Sequence, residues 1–222
     1  MRLTVINASP RLKTSNTAKL LDQFLKGFCR VENNTYEIIY YNEIDSDDAA
    51  LEIFKQAENI LLAFPLYSYG LPPSASRFVY RLSSLEDSKK RSMGFFCQYG
   101  FNEACHARSL ERQLENMCHE LKVEYLGMLI RGGCEGLRYR PESANRAFYK
   151  KFEIAGSNFG QNGRFIKQEM DKFSAPEFSK GSIFSSISGR LFVAIGNFFF
   201  WRVLLKKNGA LHKHWDRPLQ ND

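Results

Sequence analysis

Residues 6–17 read Ile6-Asn7-Ala8-Ser9-Pro10-Arg11-Leu12-Lys13-Thr14-Ser15-Asn16-Thr17, or INASPRLKTSNT. The apolar run RLTVI precedes them, and AKLLDQFLKGF, with helical spacing, follows. The stretch is therefore the turn between a strand and a helix. A plain connection of this kind needs little more than a Gly or an Asn. This one carries hydroxyls, an amide and two cations where the unpaired amides and positive dipole end of a helix point. Such a turn suits an anion. A phosphate monoester, with a charge of about −1.5 to −2 and several acceptor oxygens, fits it well. Ser15 and Asn16 also have the chemistry of a helix N-cap.

Four more short apolar runs lie further along: YEIIYY, NILLAF, MGFFCQ and YLGMLI. They are near-continuous rather than alternating, as in strands buried on both faces of a parallel sheet. Helical patterns separate them: DDAALEIFKQ, PSASRFVYRLSSL and EACHARSLERQLENMCHEL. The alternation predicts an α/β fold, a doubly wound five-stranded parallel sheet with helices on both faces. In such sheets a ligand sits beyond the carboxyl ends of the strands, at a topological switch point. We place this domain at residues 1–137. Residues 138–222 read as a helical C-terminal extension, packed on the same domain or on a partner subunit. Its helices are expected over about 142–172 and from Ser182 to Lys207.

Two further loops fall at the same sheet edge. Pro65-Leu66-Tyr67-Ser68-Tyr69-Gly70-Leu71-Pro72-Pro73 follows the third strand and can lay backbone and a Tyr against a flat heteroaromatic ring. Cys97-Gln98-Tyr99-Gly100-Phe101-Asn102-Glu103 follows the fourth. There Gly100 allows close backbone approach, and Gln98, Tyr99 and Asn102 offer hydrogen bonds. Alone, the first of these loops reads better as a rigid surface turn, and the second reads equally well as an ordinary strand-to-helix connection. Their common edge is the informative point.

Several chemistries are excluded or set behind. No G-x-x-x-x-G-K-[ST] occurs, and no G-x-G-x-x-G follows the first strand, which argues against P-loop and dinucleotide Rossmann sites. The five cysteines have neither iron–sulfur nor zinc spacing, so no metal is expected. Their odd number, and a chain that opens directly on a strand, suit a reduced cytoplasmic protein. The net charge of +7 favours anionic ligands in general. No nucleic-acid partner is expected. The apolar run Leu191–Trp201 falls short of the roughly 20 residues that span a bilayer. Contact of the Phe- and Trp-rich C-terminal helix with an acidic membrane is set behind its packing on protein.

The motifs S-P-R-x-x-x-S-N-T after strand one and P-L-Y-S-Y-G-L-P after strand three resemble those of the flavodoxin-like NAD(P)H-dependent FMN reductases. The match covers most of residues 1–135. Trp201, Asn208-Gly209 and Asp216-Arg217-Pro218 look like the extension of some bacterial members. The resemblance implies that Ser9, Arg11, Ser15, Asn16 and Thr17 hold the FMN phosphate. Pro65, Leu66, Tyr67 and Ser68 would line the isoalloxazine, and Gln98, Tyr99 and Gly100 would close its other edge. It further implies hydride transfer from NADH or NADPH to flavin N5, then reduction of an acceptor such as free flavin, a quinone, or a nitro or azo compound. Backbone amides of residues 65–68 would stabilise the charge gained by the ring. No side chain is needed as nucleophile or acid–base group, and relatives suggest a homodimer. Ala8 stands where the family usually has Gly.

Two alternatives remain. A flavodoxin-type electron carrier would bind the same cofactor without nicotinamide, though such carriers are usually acidic and shorter. Cys134-Glu-Gly-Leu-Arg-Tyr-Arg140 satisfies C-x5-R, the spacing of a thiolate phosphatase. Pro141 follows it in place of a hydroxyl, and the pattern lies after strand five.

Overall fold

A computed structural model describes residues 1–83, 90–178, 191, 194–196, 198, 201–213 and 215–216. Two compact units are distinguished, Met1–Phe178 and Ser179–Asp222. In the first, the five apolar runs form strands β1 (Arg2–Asn7), β2 (Thr35–Tyr40), β3 (Asn59–Pro65), β4 (Ser92–Gln98) and β5 (Glu124–Arg131). All pair in parallel, in the order β2-β1-β3-β4-β5. Four helices connect them: α1 (Asn16–Phe28), α2 (Asp47–Gln56), α3 (Pro73–Leu82) and α4 (Cys105–Glu120). This is the expected doubly wound sheet.

Period-two alternation sends the strand side chains to two cores. Ile60, Leu62 and Phe64 of β3 join Phe54 of α2, Phe78 of α3 and Leu114 of α4 on one face. Leu61 and Ala63 join Phe24 and Phe28 of α1 on the other. Each fully buried Phe or Leu contributes about 1.5–3 kcal/mol. Strand β2 departs from the expectation of burial on both faces. It is the sheet's edge, and its residues run from exposed to half-buried.

The second core is closed by a helix that follows β5, α5 (Glu142–Asn162). Phe152, Ala155 and Phe159 of α5 are buried against Phe24 and Phe96. The two helices touch backbone to backbone. A Cβ on Gly27 would overlap the Glu153 carbonyl, and one on Gly156 would overlap the Phe24 carbonyl. The single helix expected over 142–172 is two. Gly163 ends α5 in the left-handed region (φ 70°), its N–H donating to the Phe159 carbonyl at 2.8 Å. The chain then passes the open edge of β5, where Phe165 N–H donates to the Leu126 carbonyl at 2.8 Å, and forms α6 (Lys167–Ser174). Thus α5 and α6 belong to the unit that holds the sheet.

In the second unit the described residues include a helix at Arg202–Lys207. Most of the helix expected from Ser182 lies outside the described residues, as do His214, Arg217 and Pro218. Among the described residues, no helix is long and apolar enough to cross a membrane.

Candidate functional site

Strand register brings the three loops together. Asn7 aligns with Ala63, Pro65 with Gln98, and Gln98 with Arg131, so four strands end at one edge. From β1 the chain leaves toward β2 on one side and β3 lies on the other. The crevice of the topological switch therefore opens between the loops after β1 and β3.

The first loop is built largely by its own side chains. Ser9 N–H donates to Asn7 Oδ1 at 3.0 Å, and Leu12 turns through φ 48° into a short 3-10 helix, Leu12–Thr14. Ser15 caps α1. Its Oγ accepts from Ala18 N–H at 3.0 Å and donates to the Leu12 carbonyl at 2.6 Å. Asn16 is buried and donates through Nδ2 to the Cys134 carbonyl at 2.9 Å. Thr17 Oγ1 accepts from Gln98 Nε2 at 3.1 Å, which leaves its hydroxyl proton available. The N-cap expected of this loop is present at Ser15. Ser15 and the Asn16 side chain hold the turn, while the amides of Asn16 and Thr17 at the start of α1 have no acceptor among the described residues. Arg11 is exposed and has no carboxylate partner among them. Ala8 is buried with negative φ, so its side chain brings no backbone strain to the loop.

The second loop is a tight hairpin. Tyr67 and Gly70 exchange backbone hydrogen bonds of 3.0 and 2.9 Å around Ser68 (φ 48°) and Tyr69 (φ 64°). Both central residues are left-handed, as a type I′ turn requires, yet neither is the Asn or Gly that favours it. Strain of this kind, on the order of 1 kcal/mol per residue, persists where surrounding structure over-determines it and clusters at functional sites. One expectation needs correction here. Leu66 N–H donates to the Gln98 carbonyl and Tyr67 N–H to Gly70, so neither can face a ring. Only the Ser68 amide of residues 65–68 lacks such an acceptor among the described residues, and Pro65 has no N–H.

The third loop sits beside the second. Exposed Tyr69 and Phe101 flank the imidazole of His106 at 5.4 and 4.9 Å, and His106 Nε2 lies 3.7 Å from Glu103. Tyr99 is buried, its hydroxyl donating to the Glu103 carbonyl at 2.9 Å. Sequence reasoning missed this aromatic group, because His106 lies on α4 and Tyr69 reaches it only through the left-handed turn. It also missed a fourth loop, Gly132-Gly133-Cys134, after β5. Gly133 N–H donates to the Phe101 carbonyl and Cys134 N–H to the Tyr99 carbonyl, both at 2.8 Å. A Cβ at Gly132 would overlap the Phe101 carbonyl, so the Gly-Gly dipeptide was the available signal.

The C-x5-R pattern does not make a phosphatase site. Cys134 is fully buried, and burial pushes its thiol up to about 12, so no thiolate forms near neutral pH. The pattern's arginine, Arg140, is exposed, away from the buried thiol, and Arg131, just before the cysteine, is occupied elsewhere. Its guanidinium donates to the carbonyls of Phe173 and Ala175 and stacks on Phe148 and Phe173. Among the described residues no group of three His, Cys, Asp or Glu is placed to hold a metal ion.

No family model matches the chain, and no curated protein matches its sequence. Solved structures do match its fold. The Trp repressor binding protein from Bacillus subtilis is 21% identical, with a TM-score of 0.54 over 70% of this chain and 98% of that one. An FMN-dependent NADH-azoreductase from Bacillus anthracis, solved with FMN, is 18% identical, with a TM-score of 0.54 over 72% and 99%. An NAD(P)H:quinone oxidoreductase from Methanothermobacter marburgensis is 15% identical, with a TM-score of 0.57 over 72% and 96%. The chain has the flavodoxin-like fold that these proteins share.

Proposed function

We propose that the protein is an FMN-dependent NAD(P)H oxidoreductase acting on a small-molecule acceptor such as free flavin, a quinone, or a nitro or azo compound. One observation carries the reading. At the switch point, a loop with open helix amides and an uncommitted arginine faces a strained hairpin that presents aromatic side chains. The fold neighbours named as FMN-dependent azoreductase and quinone oxidoreductase support it.

The residues present fit the cofactor. Open α1 amides, Arg11 and the Thr17 hydroxyl are donors suited to a phosphate. Buried Asn7 Nδ2 and Asn16 Oδ1 lack partners among the described residues, a cost of about 1–3 kcal/mol each that a polar ligand or water can relieve. Ser9 completes the polar wall. Pro65, Leu66, Tyr67 and Ser68 would bound one side of the ring, and Gln98, Tyr99 and Gly100 its edge.

When bound, FMN supplies two-electron chemistry between a nicotinamide and the acceptor. The chain's residues bind and orient it. Arg11 and the α1 amides fix the phosphate end, which sets where the ring can lie. Ser68 and Tyr69 N–H are the hairpin's backbone donors without an acceptor among the described residues and so able to meet negative charge, while Leu66 and Tyr67 hold the hairpin's shape. Gln98, tied to Thr17, couples the ring side of the site to the phosphate side. Five free cysteines favour a reducing compartment, and we place the protein in the cytoplasm, as a homodimer.

The test is the visible spectrum of protein purified with FMN. Oxidised-flavin bands bleached anaerobically by NADH or NADPH are expected. A colourless protein that takes up no FMN contradicts the reading. Flavin that binds but is reduced by neither nicotinamide would make the chain an electron carrier instead.

A further inference from the structure

The Cys134 peptide is where three loops of the site meet. Its N–H donates to the Tyr99 carbonyl at 2.8 Å. Its carbonyl accepts from Asn16 Nδ2 at 2.9 Å and from Leu137 N–H at 3.2 Å. The last of these bonds closes a turn from Cys134 to Leu137, which opens the 3-10 helix Glu135–Tyr139. The far end of that turn is held by another carboxamide. Asn145, in the first turn of α5, donates through Nδ2 to the Leu137 carbonyl at 3.1 Å. Two asparagines, one on α1 and one on α5, thus grip the two ends of a single turn. Packing alone does not explain an asparagine at 145. It is 1% exposed, and Leu137, which it holds, lies in the second core with Phe152. Its Oδ1 has no donor among the described residues. The amide therefore carries a desolvation cost that leucine, of the same branched shape, would avoid. What the amide adds is the bond to the turn.

We propose that Asn145 is a positioning residue of the phosphate site. It holds the Cys134–Leu137 turn, the turn aims the Cys134 carbonyl, and that carbonyl sets Asn16, whose amide opens α1 beside that of Thr17. Helix α5 thereby acts on the anion grip without touching the anion. This role rests on the proposed reading of residues 9–17 as the holder of the FMN phosphate. Its reach is bounded, because Thr17 keeps a separate tie to Gln98. A merely structural asparagine would lower stability and weaken every ligand together. A positioning one weakens the phosphate end and spares the ring, since placement of donors a fraction of an ångström off costs charge-assisted bonds most.

Asn145→Leu removes the donor and keeps the shape of the side chain; Asn145→Ala takes its place if the leucine variant does not fold. Full-length wild type and variant are titrated with FMN and with riboflavin by flavin fluorescence. We expect FMN to weaken about five- to tenfold, the worth of roughly one hydrogen bond, with riboflavin changed by less than about twofold. Equal losses for the two ligands, or no loss for either, overturn the proposal. A cycle with Asn16→Ala tests the route. Both side chains act through the Cys134 carbonyl, so once Asn16 is Ala the second change should weaken FMN by less than about twofold more. An undiminished second loss overturns the proposal. The backbone amide signals of Asn16 and Thr17, read by NMR without any ligand, should move in the Asn145 variant; unmoved signals overturn it as well. A wild-type protein that takes up no FMN contradicts the proposed function instead, and the amide signals still decide whether Asn145 sets the start of α1.

Discussion

The loops after β1 and β3 face each other across one crevice, yet they are stabilised in opposite ways. In the first, polar side chains are spent on the protein itself: Ser15 caps a helix and Asn16 latches to the Cys134 carbonyl. What it leaves open is backbone N–H and one arginine, groups suited to a charged end. In the second, the backbone is spent on a hairpin closed between Tyr67 and Gly70, and what it leaves open is tyrosine rings. A ligand that satisfies both needs an anion at one end and a flat ring at the other. Residue type separated the two tasks but did not show which groups of each loop are already committed. The hydrogen bonds did.

The first loop stands on α1, and α1 stands on α5. Gly156→Ala puts a methyl into the Phe24 carbonyl, so helix separation and a loss of about 1–3 kcal/mol are expected, seen as a lowered Tm. Stability within a few tenths of wild type would show that the two helices can part freely. Arg11→Ala should leave Tm unchanged and weaken FMN by about 1.5–3 kcal/mol, or roughly 10- to 100-fold, while sparing riboflavin. Equal losses for both ligands would remove Arg11 from the phosphate end. Asn16→Ala breaks the latch and leaves the buried Cys134 carbonyl without that donor. We expect a loss of about 1 kcal/mol in urea denaturation, with weaker FMN binding as the α1 terminus shifts. The smallest effect belongs to the second loop. Ser68→Gly relieves one left-handed residue and should stabilise by a few tenths to about 1 kcal/mol, with ring binding retained. Destabilisation there would mean that the serine side chain holds the turn.

Much of the sheet was legible because buried parallel strands advertise themselves as apolar runs. The first loop was legible because its residue types are rare in a plain turn. Strand β2 misled: Ile38, Ile39 and Tyr40 match a central strand, and only pairing order reveals an edge. The role of α5 was hidden because Gly27 and Gly156, more than a hundred residues apart, carry no pattern until the helices meet. Ser68 and Tyr69 gave no turn signal, since neither residue prefers positive φ. The aromatic group around His106 depended on that turn and was hidden with it.

The central claim is that residues 9–17 grip a phosphate attached to a flavin. The direct measurement is a parallel titration of the wild-type protein with FMN and with riboflavin, followed by fluorescence quenching. The account predicts FMN bound tighter by at least roughly tenfold, the worth of one charge-assisted hydrogen bond to phosphate. Riboflavin bound as tightly as FMN would contradict it.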